Sequence, residues 1–163
     1  MLLHDGQLAR AEAVYQRALD SARRVRHTMV LFQAQGGLAA LHRLHGRDDA
    51  AAEAAAEALE LYRADGFRRF RNRIDPATDL QATAAVCCEV LAAIAAERDE
   101  PERAATLLGH ADRLRGGSGV EVPGFQHATV AGAREAAVAV LGSAAFLAAF
   151  DRGKQGDEVA PVS

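Results

Sequence analysis

Large side chains are scarce in this sequence. Of its 163 residues none is tryptophan and only 5% are aromatic, although 50% are hydrophobic. The apolar residues are therefore mostly small, and alanine, the strongest helix former, is abundant among them. This composition favours closely packed helices over a sheet, and the length allows either one core or an elongated array of thin ones.

Cysteine is also scarce, and nothing resembles a leader segment. The only cysteines are Cys87 and Cys88, and a disulfide between chain neighbours is strained, so a disulfide framework is excluded. Residues 1–5 turn polar too early for a signal peptide, and no apolar run approaches the length that spans a membrane. We expect a cytoplasmic protein without a membrane partner.

Excess positive charge is absent. Lys154 is the only lysine, and the formal net charge is −3. A chain without an electropositive field is a poor surface for nucleic acid. We predict no DNA contact for this chain itself.

One phrase occurs three times, a polar turn followed by a helix with small residues at fixed offsets. Its copies cover residues 6–11, 46–51 and 99–104, and they begin at Gly6, Gly46 and Asp99. Recurrence at such intervals is typical of stacked helix pairs, because one pair cannot bury its apolar face alone. The phrase therefore predicts an array of helix pairs.

The spacing of apolar residues predicts about seven helices. Gly46 supplies a left-handed cap, and Pro101 stands where a first-turn proline belongs. The predicted fold class is all-α, an antiparallel helix-pair solenoid with a C-terminal helical cap. Offsets of three and four residues mark helices over 7–25, 28–45, 48–64, 79–97, 101–115, 125–141 and 144–152.

Breaks between these helices define the predicted domain organisation. Degenerate repeats occupy 1–115, a glycine-rich linker 116–124, the helical cap 125–152 and a disordered polar tail 153–163. Residues 65–79 interrupt the repeats, and we interpret them as a loop or irregular insertion because a proline follows Asp75.

Aligning the three phrases brings small residues into register. Ala11, Ala51 and Ala104 coincide, and seven residues later so do the next alanines. This pattern resembles the tetratricopeptide repeat, in which small residues let the two helices of a pair touch and larger ones fill the gap between pairs. The predicted repeat-packing positions are Gly6, Ala11, Tyr15, Ala18, Leu38, Gly46, Ala51, Ala58, Leu91, Ala104, Leu108 and Ala111.

The last part of the chain resembles a particular group of tetratricopeptide-repeat proteins. Residues 102–115 and 141–146 are similar to the end of the tetratricopeptide region in LuxR-type large ATP-binding regulators and in antibiotic-regulatory activators with a bacterial transcriptional activator domain. The sequence departs from that pattern at Phe150, where tryptophan is usual. It contains no G-x-x-x-x-G-K-[ST] string, so ATP hydrolysis is not expected. Because Met1 falls just before a repeat turn, we expect an incomplete first repeat, from a fragment, a late start codon or a degraded gene.

Two local pairs are candidates for metal or redox chemistry. His42 and His45 are three residues apart, but no cysteine or carboxylate completes a ligand shell, so solvent-facing or capping histidines are favoured. Cys87 and Cys88 have no basic residue within one helical turn, so structural burial is favoured over a redox sensor, at least for Cys87. We expect no metal and no cofactor.

The densest charge cluster is a candidate anion or partner contact. Arginine forks beside aromatic rings hold phosphate or carboxylate groups. The simpler interpretation is a solvated loop whose arginines neutralise nearby acids. The cluster comprises Arg68, Arg69, Arg71 and Arg73, with Phe67 and Phe70 between them.

These patterns together predict a non-enzymatic scaffold. Its partner would be a protein, a peptide or a small effector on a concave face lined by the helices at 28–45 and 79–97. The resemblance implies that it is the C-terminal regulatory part of a bacterial transcriptional regulator. Acids at 48–49 and 99–100 fit helix starts rather than a general acid and base, and no catalytic triad can be assembled. The alternative is a standalone helical protein that self-associates through the uncovered face of its first helix.

Overall fold

The computed structural model describes residues 2–64, 80–118 and 121–156. Within these ranges the chain forms α-helices and one short 3-10 turn (Gly124–Gln126) and contains no strand, so the all-α prediction is confirmed. The seven described helices are α1 (Leu2–Val25), α2 (Thr28–Leu44), α3 (Asp48–Arg63), α4 (Leu80–Glu97), α5 (Pro101–Ser118), α6 (His127–Leu141) and α7 (Ser143–Gln155).

Three helices end in the same hydrogen-bonded motif. Arg26, Gly46 and Asp99 each have a left-handed backbone, with φ of 52°, 67° and 60°. The next N–H donates to the carbonyl five residues earlier, which is the Schellman pattern that satisfies the last free carbonyls of a helix. These bonds, each 2.9 Å long, run from His27 to Ala22, from Arg47 to His42 and from Glu100 to Ala95. Gly46 and Asp99, which the repeated phrase aligns, thus have one structural role.

The first copy of the phrase does not begin with a turn. α1 runs without a break from Leu2 through Gly6, so the turn predicted at Gly6 is wrong and the helix starts earlier than residue 7. A glycine inside a helix costs only about 0.5–1 kcal/mol relative to alanine. That is too little to stop a helix that continues on both sides.

α4 is the centre of the core. It packs against α2, α3, α5 and α6, and it is buried along most of its length, including Leu80, Cys87 and Ile94. α2 also packs on α3, and α5 packs on both α6 and α7. A helix with neighbours on four sides has little surface left for solvent.

Burial at the aligned positions differs between the first copy of the phrase and the other two. Ala51, Ala58, Ala104 and Ala111 are all buried. Ala11, Tyr15 and Ala18 are only partly buried, because α1 packs against α2 alone among the described helices.

α5 and α7 approach each other through glycine. A Cβ atom at Gly109 would overlap the backbone carbonyl of Phe150, and one at Gly153 would overlap the carbonyl of Thr106. Only a residue without a side chain lets the two backbones come so close. The contact fixes α7 against the outer part of the core.

Two predicted boundaries differ from the structure, and the glycine contact accounts for the second of them. α5 continues to Ser118, into the linker expected at 116–124, and α7 continues to Gln155, into the tail expected at 153–163. Gly153 is buried and serves in the helix contact rather than beginning a tail. Residues 157–163 lie outside the described residues.

Cations and aromatic rings join α5, α6 and α7. Phe146 and Phe150 stack with ring centroids 5.8 Å apart, and the guanidinium of Arg134 lies 5.4 and 5.2 Å from their centroids. Lys154 lies 5.7 Å from the ring of Phe150 and pairs with Asp112 at 2.7 Å. Phe150, where the sequence departs from the pattern that it resembles, therefore packs against two cations.

One helix has the length and composition of a membrane span, contrary to the expectation from the sequence. The 18 residues of α4 have a mean hydropathy of 1.5, but 67% of them are buried inside the protein. The central helix of a globular core has the same properties, so this feature is accounted for by packing.

The glycine contact makes a specific prediction. Gly109→Ala places a methyl group against the backbone of α7 and is expected to lower the free energy of unfolding by about 2 kcal/mol or more, in the range of overpacked cores. Gly132→Ala is the matched control, because a Cβ atom there meets nothing within 4 Å and alanine favours the helix by about 0.5–1 kcal/mol. Urea unfolding measured by circular dichroism tests both, and equal effects of the two substitutions would contradict the close approach.

Candidate functional site

The predicted arginine cluster cannot be placed. Arg68, Arg69, Arg71 and Arg73 lie in the segment 65–79, outside the described residues. The described residues on either side of it are Ala64, after α3, and Leu80, the first residue of α4. The charged groups considered below therefore belong to the described helices.

A buried ion pair joins α4 to the end of α5. Arg115 donates from Nε and Nη2 to the two carboxylate oxygens of Glu89, at 2.6 and 2.7 Å. The two side chains are 10% and 2% exposed. Arg115 also donates from Nη1 to the backbone carbonyl of Glu121 at 3.1 Å. One guanidinium thus connects the central helix, α5 and the segment that follows it.

The local sequence explains why these two residues meet. α5 extends past Gly116, which keeps Arg115 in a helical backbone close to the end of α5, where a cation interacts favourably with the helix dipole. Glu89 is the only charged residue between Leu80 and Ala96. A lone carboxylate in such an apolar run requires a buried partner, and this signal in the sequence identifies Glu89 as unusual. It does not identify Arg115.

The cysteines are next to Glu89 in the sequence and are buried in the core. Both are fully buried. Burial raises the pKa of the Cys88 thiol to about 12, with the charge of Glu89 adding to the effect and Arg113, Arg63 and Arg115 opposing it. Burial also raises the pKa of Cys87 far above its ordinary value, and Cys88 and Glu89 add to it. Basic residues are near Cys88 after all, but they come from α3 and α5, so the neighbours of Cys88 in sequence did not indicate them.

The two histidines flagged by the sequence lie in an ion-pair cluster. Glu12 of α1 accepts two hydrogen bonds from Arg47, at 2.9 and 2.6 Å. His42 Nδ1 lies 3.9 Å from Glu12, and His45 Nδ1 lies 3.1 Å from Arg47. The structure thus supplies a carboxylate that sequence reasoning missed, because Glu12 is on another helix.

The charges of this cluster stabilise the contact between Glu12 of α1 and Arg47. The hydrogen bond from Arg47 holds the pKa of Glu12 below its usual value. Burial lowers the pKa of His42, and the charge of Arg47 lowers it further while Glu12 opposes. Among the described residues no group of three or more potential ligands could hold a metal ion.

A second row of ion pairs ties successive helices together at their ends. Arg43 pairs with Asp48 at 2.7 Å and also with Glu97, and Arg98 pairs with Asp49 at 2.5 Å. Burial alone would lower the pKa of Arg43, but its hydrogen bonds to Glu97 and Asp48 raise it. The acids that begin α3 therefore also bind two arginines, Arg43 in the last turn of α2 and Arg98 just after α4. These ion pairs hold the helix ends together.

The buried pair yields the second prediction. Glu89→Ala leaves the guanidinium of Arg115 without its carboxylate and is expected to lower the free energy of unfolding by about 3–5 kcal/mol. The double variant Glu89→Met with Arg115→Met removes both charges and is expected to recover most of that loss. Urea unfolding of the wild type and both variants measures the effect. If the double variant is as unstable as Glu89→Ala, an unpaired charge is not the cause.

The third prediction concerns the thiols. Neither cysteine of the folded protein is expected to react with a chromogenic disulfide reagent at neutral pH, because both are buried and protonated. Both should react after denaturation. Ser143→Cys, at an exposed position, is the control and should add one rapidly reacting thiol. Fast labelling of the native wild type would contradict the burial.

Comparison with protein-family models, with curated proteins and with solved structures finds no match to this chain. The fold and the ion-pair clusters described above are therefore the basis for a functional assignment, together with the sequence resemblance.

Proposed function

We propose that this chain is a non-enzymatic scaffold of tetratricopeptide-like helix pairs. It binds a protein or peptide partner, or a small effector, and forms the C-terminal regulatory part of a bacterial transcriptional regulator. The observation that carries the proposal is the equivalence of two turns. Gly46 and Asp99 occupy the same position of the repeated phrase and have the same left-handed cap.

The packing order supports an array of pairs. α2 packs on α3, α4 on α5 and α6 on α7, while α2, α4 and α6 contact one another in series. The alanines at equivalent positions of the second and third phrases are buried. Contacts restricted mainly to neighbours are what an array of helix pairs requires.

The leading helices α2 and α4 would supply the binding face. Most of α4 is buried, so few of its side chains are available. Gln33 and Val86 each lie eighteen residues before the aligned alanines Ala51 and Ala104, and both are partly exposed. These two positions are the ones we assign to the face.

The proposed non-enzymatic role is supported by the fact that several titratable groups are buried or paired with one another between helices. The cysteines are buried, and Glu12, Glu89, Arg43 and Arg115 are engaged in ion pairs between helices. The free thiols also support a cytoplasmic location, which is part of the proposal.

The alternative, a standalone helical protein that self-associates through the uncovered face of α1, has less support as an apolar contact. The apolar side of α1, with Leu19 and Ala22, is buried against α2, its one partner helix in the described structure. Its outward side is mostly polar. Val14 and Val25 are both exposed on α1, and an apolar dimer contact would need a larger patch than these two provide.

The fourth prediction tests the binding face. A random peptide library displayed on phage is selected against the full chain, and the recovered peptides are then measured by calorimetry. Val86→Arg is expected to weaken their binding more than about tenfold, because it places a charge on the face. Val140→Arg, at an exposed position of α6, is the control and should bind as the wild type does. Binding that is insensitive to Val86→Arg would contradict the assigned face.

The regulator assignment has its own test in the genomic sequence upstream of Met1. An open frame that continues in phase into a leading helix, an ATPase core or a helix-turn-helix supports it. A stop codon close upstream would count against it and leave the scaffold assignment standing.

A further inference from the structure

The outward face of α1 carries a row of arginines. Arg10, Arg17 and Arg24 are exposed and seven residues apart, so they lie along one stripe of the helix. Leu19 and Ala22, on the other side, are buried. Val14, between the first two arginines, is 54% exposed. We call Arg10, Arg17 and Arg24 the basic stripe.

The basic stripe is not used within the chain. In the described part of the structure none of its three arginines forms an ion pair, in contrast to Arg43, Arg47 and Arg115. Asp20, the one exposed acid of α1 between residues 7 and 25, lies within one helical turn of Arg17 and Arg24 and offsets part of their charge. The row still has more guanidinium groups than carboxylates, and such a surface suits carboxylates.

The outward face of α3 carries a matching pair of acids. Glu53 and Glu60 are exposed, also seven residues apart, and neither forms an ion pair with another described residue. Seven residues of helix span about 10.5 Å, so two neighbouring arginines of the basic stripe match the distance between these carboxylates. We call Glu53 and Glu60 the acidic stripe.

We propose that the basic stripe of one copy docks on the acidic stripe of a second copy. α1 and α3 make no contact with each other within the described chain, so the two stripes are free to meet in trans. Each copy has one stripe of each sign. In the proposed two-fold pairing, α1 of each copy lies on α3 of the other, so the same contact is made twice and the assembly is a dimer.

The size of the contact agrees with a weak, salt-sensitive dimer. One helix face of about 30 Å length and 10 Å width offers roughly 300 Å². Two such faces per copy bury roughly 600 Å² on each partner, at the low end of specific interfaces. The attraction between exposed charges falls as salt rises.

Self-association is favoured over nucleic acid or an anionic membrane by the charge of the whole chain. Its formal net charge is −3, which repels polyanions at a distance. The spacing of the arginines, moreover, is matched by carboxylates of the same chain.

Charge swapping tests the proposal, which is the fifth prediction. The basic-stripe variant is Arg10→Glu/Arg17→Glu/Arg24→Glu, and the acidic-stripe variant is Glu53→Arg/Glu60→Arg. Sedimentation velocity of the full chain is measured over a range of concentrations at low salt and in 1 M NaCl. We expect the wild type to dimerise at low salt and dissociate at high salt, and each variant alone to have a dissociation constant more than about tenfold weaker. An equal mixture of the two variants is expected to dimerise again, because each acidified α1 then faces a basic α3.

Arg23→Glu is the control, since Arg23 is exposed on α1 but lies off the stripe. It should associate as the wild type does, and circular dichroism should show that all variants are folded. A wild type that stays monomeric, a dimer that the reversals leave unchanged, or a mixture that does not associate would overturn the proposal. So would binding of a single-stranded DNA oligomer or anionic vesicles by a monomeric wild type that the basic-stripe variant loses. None of these outcomes bears on the binding face at Val86, so failure here is distinguishable from failure of the scaffold proposal.

Discussion

The close approach of helices through alanine and glycine is the constraint on which the rest of this structure depends. With few large side chains available, burial is achieved by bringing backbones together rather than by filling wide gaps. Gly109 and Gly153 let the backbones of α5 and α7 touch, and Gly37 lies against the ring of Tyr15 from α1. Because each small side chain buries little area, the stability of the core comes from many short-range dispersion contacts, and a single added methyl group at such a crossing is costly.

In a core of small residues, the relative positions of the helices are only weakly determined, because smooth alanine surfaces interlock little. The ion pairs between helices help to determine these positions. Glu89 and Arg115 fix α5 against α4 in the interior, and Arg43 links α2 to the start of α3 and the end of α4. A buried pair adds little net stability compared with apolar residues of similar volume. Both oxygens of Glu89 meet Nε and Nη2 of Arg115 in the register that α4 and α5 adopt here, so a shift of one helix along the other would break the pair.

Much of the helical pattern could be predicted from the sequence, because it depends on local chemistry. Gly46 and Pro101 mark a helix end and a helix start through backbone preferences that act wherever these residues stand, and the structure confirms both. Gly6 and Gly153 did not follow such preferences. Gly6 lies inside α1, where a glycine costs little, and Gly153 permits the contact with α5, which depends on a distant part of the chain. The partners Glu12 and Arg115 could not be predicted for the same reason. Each is separated from the residue it binds by 26 residues or more.

The burial of α4 determines where this protein can meet anything else. A helix surrounded by four others has few side chains to offer, so the binding face proposed for the leading helices is limited to a narrow strip near Gln33 and Val86. The outer helices α1 and α3 are different, because each buries one side and leaves a row of like charges on the other. Charged side chains on an outward helix face change the stability of the fold little, since they remain in water. Their identity is therefore constrained more by a binding partner than by folding. Packing requires small apolar residues in the core. The residues of the outer faces are not constrained by packing, so differences in binding specificity can arise there.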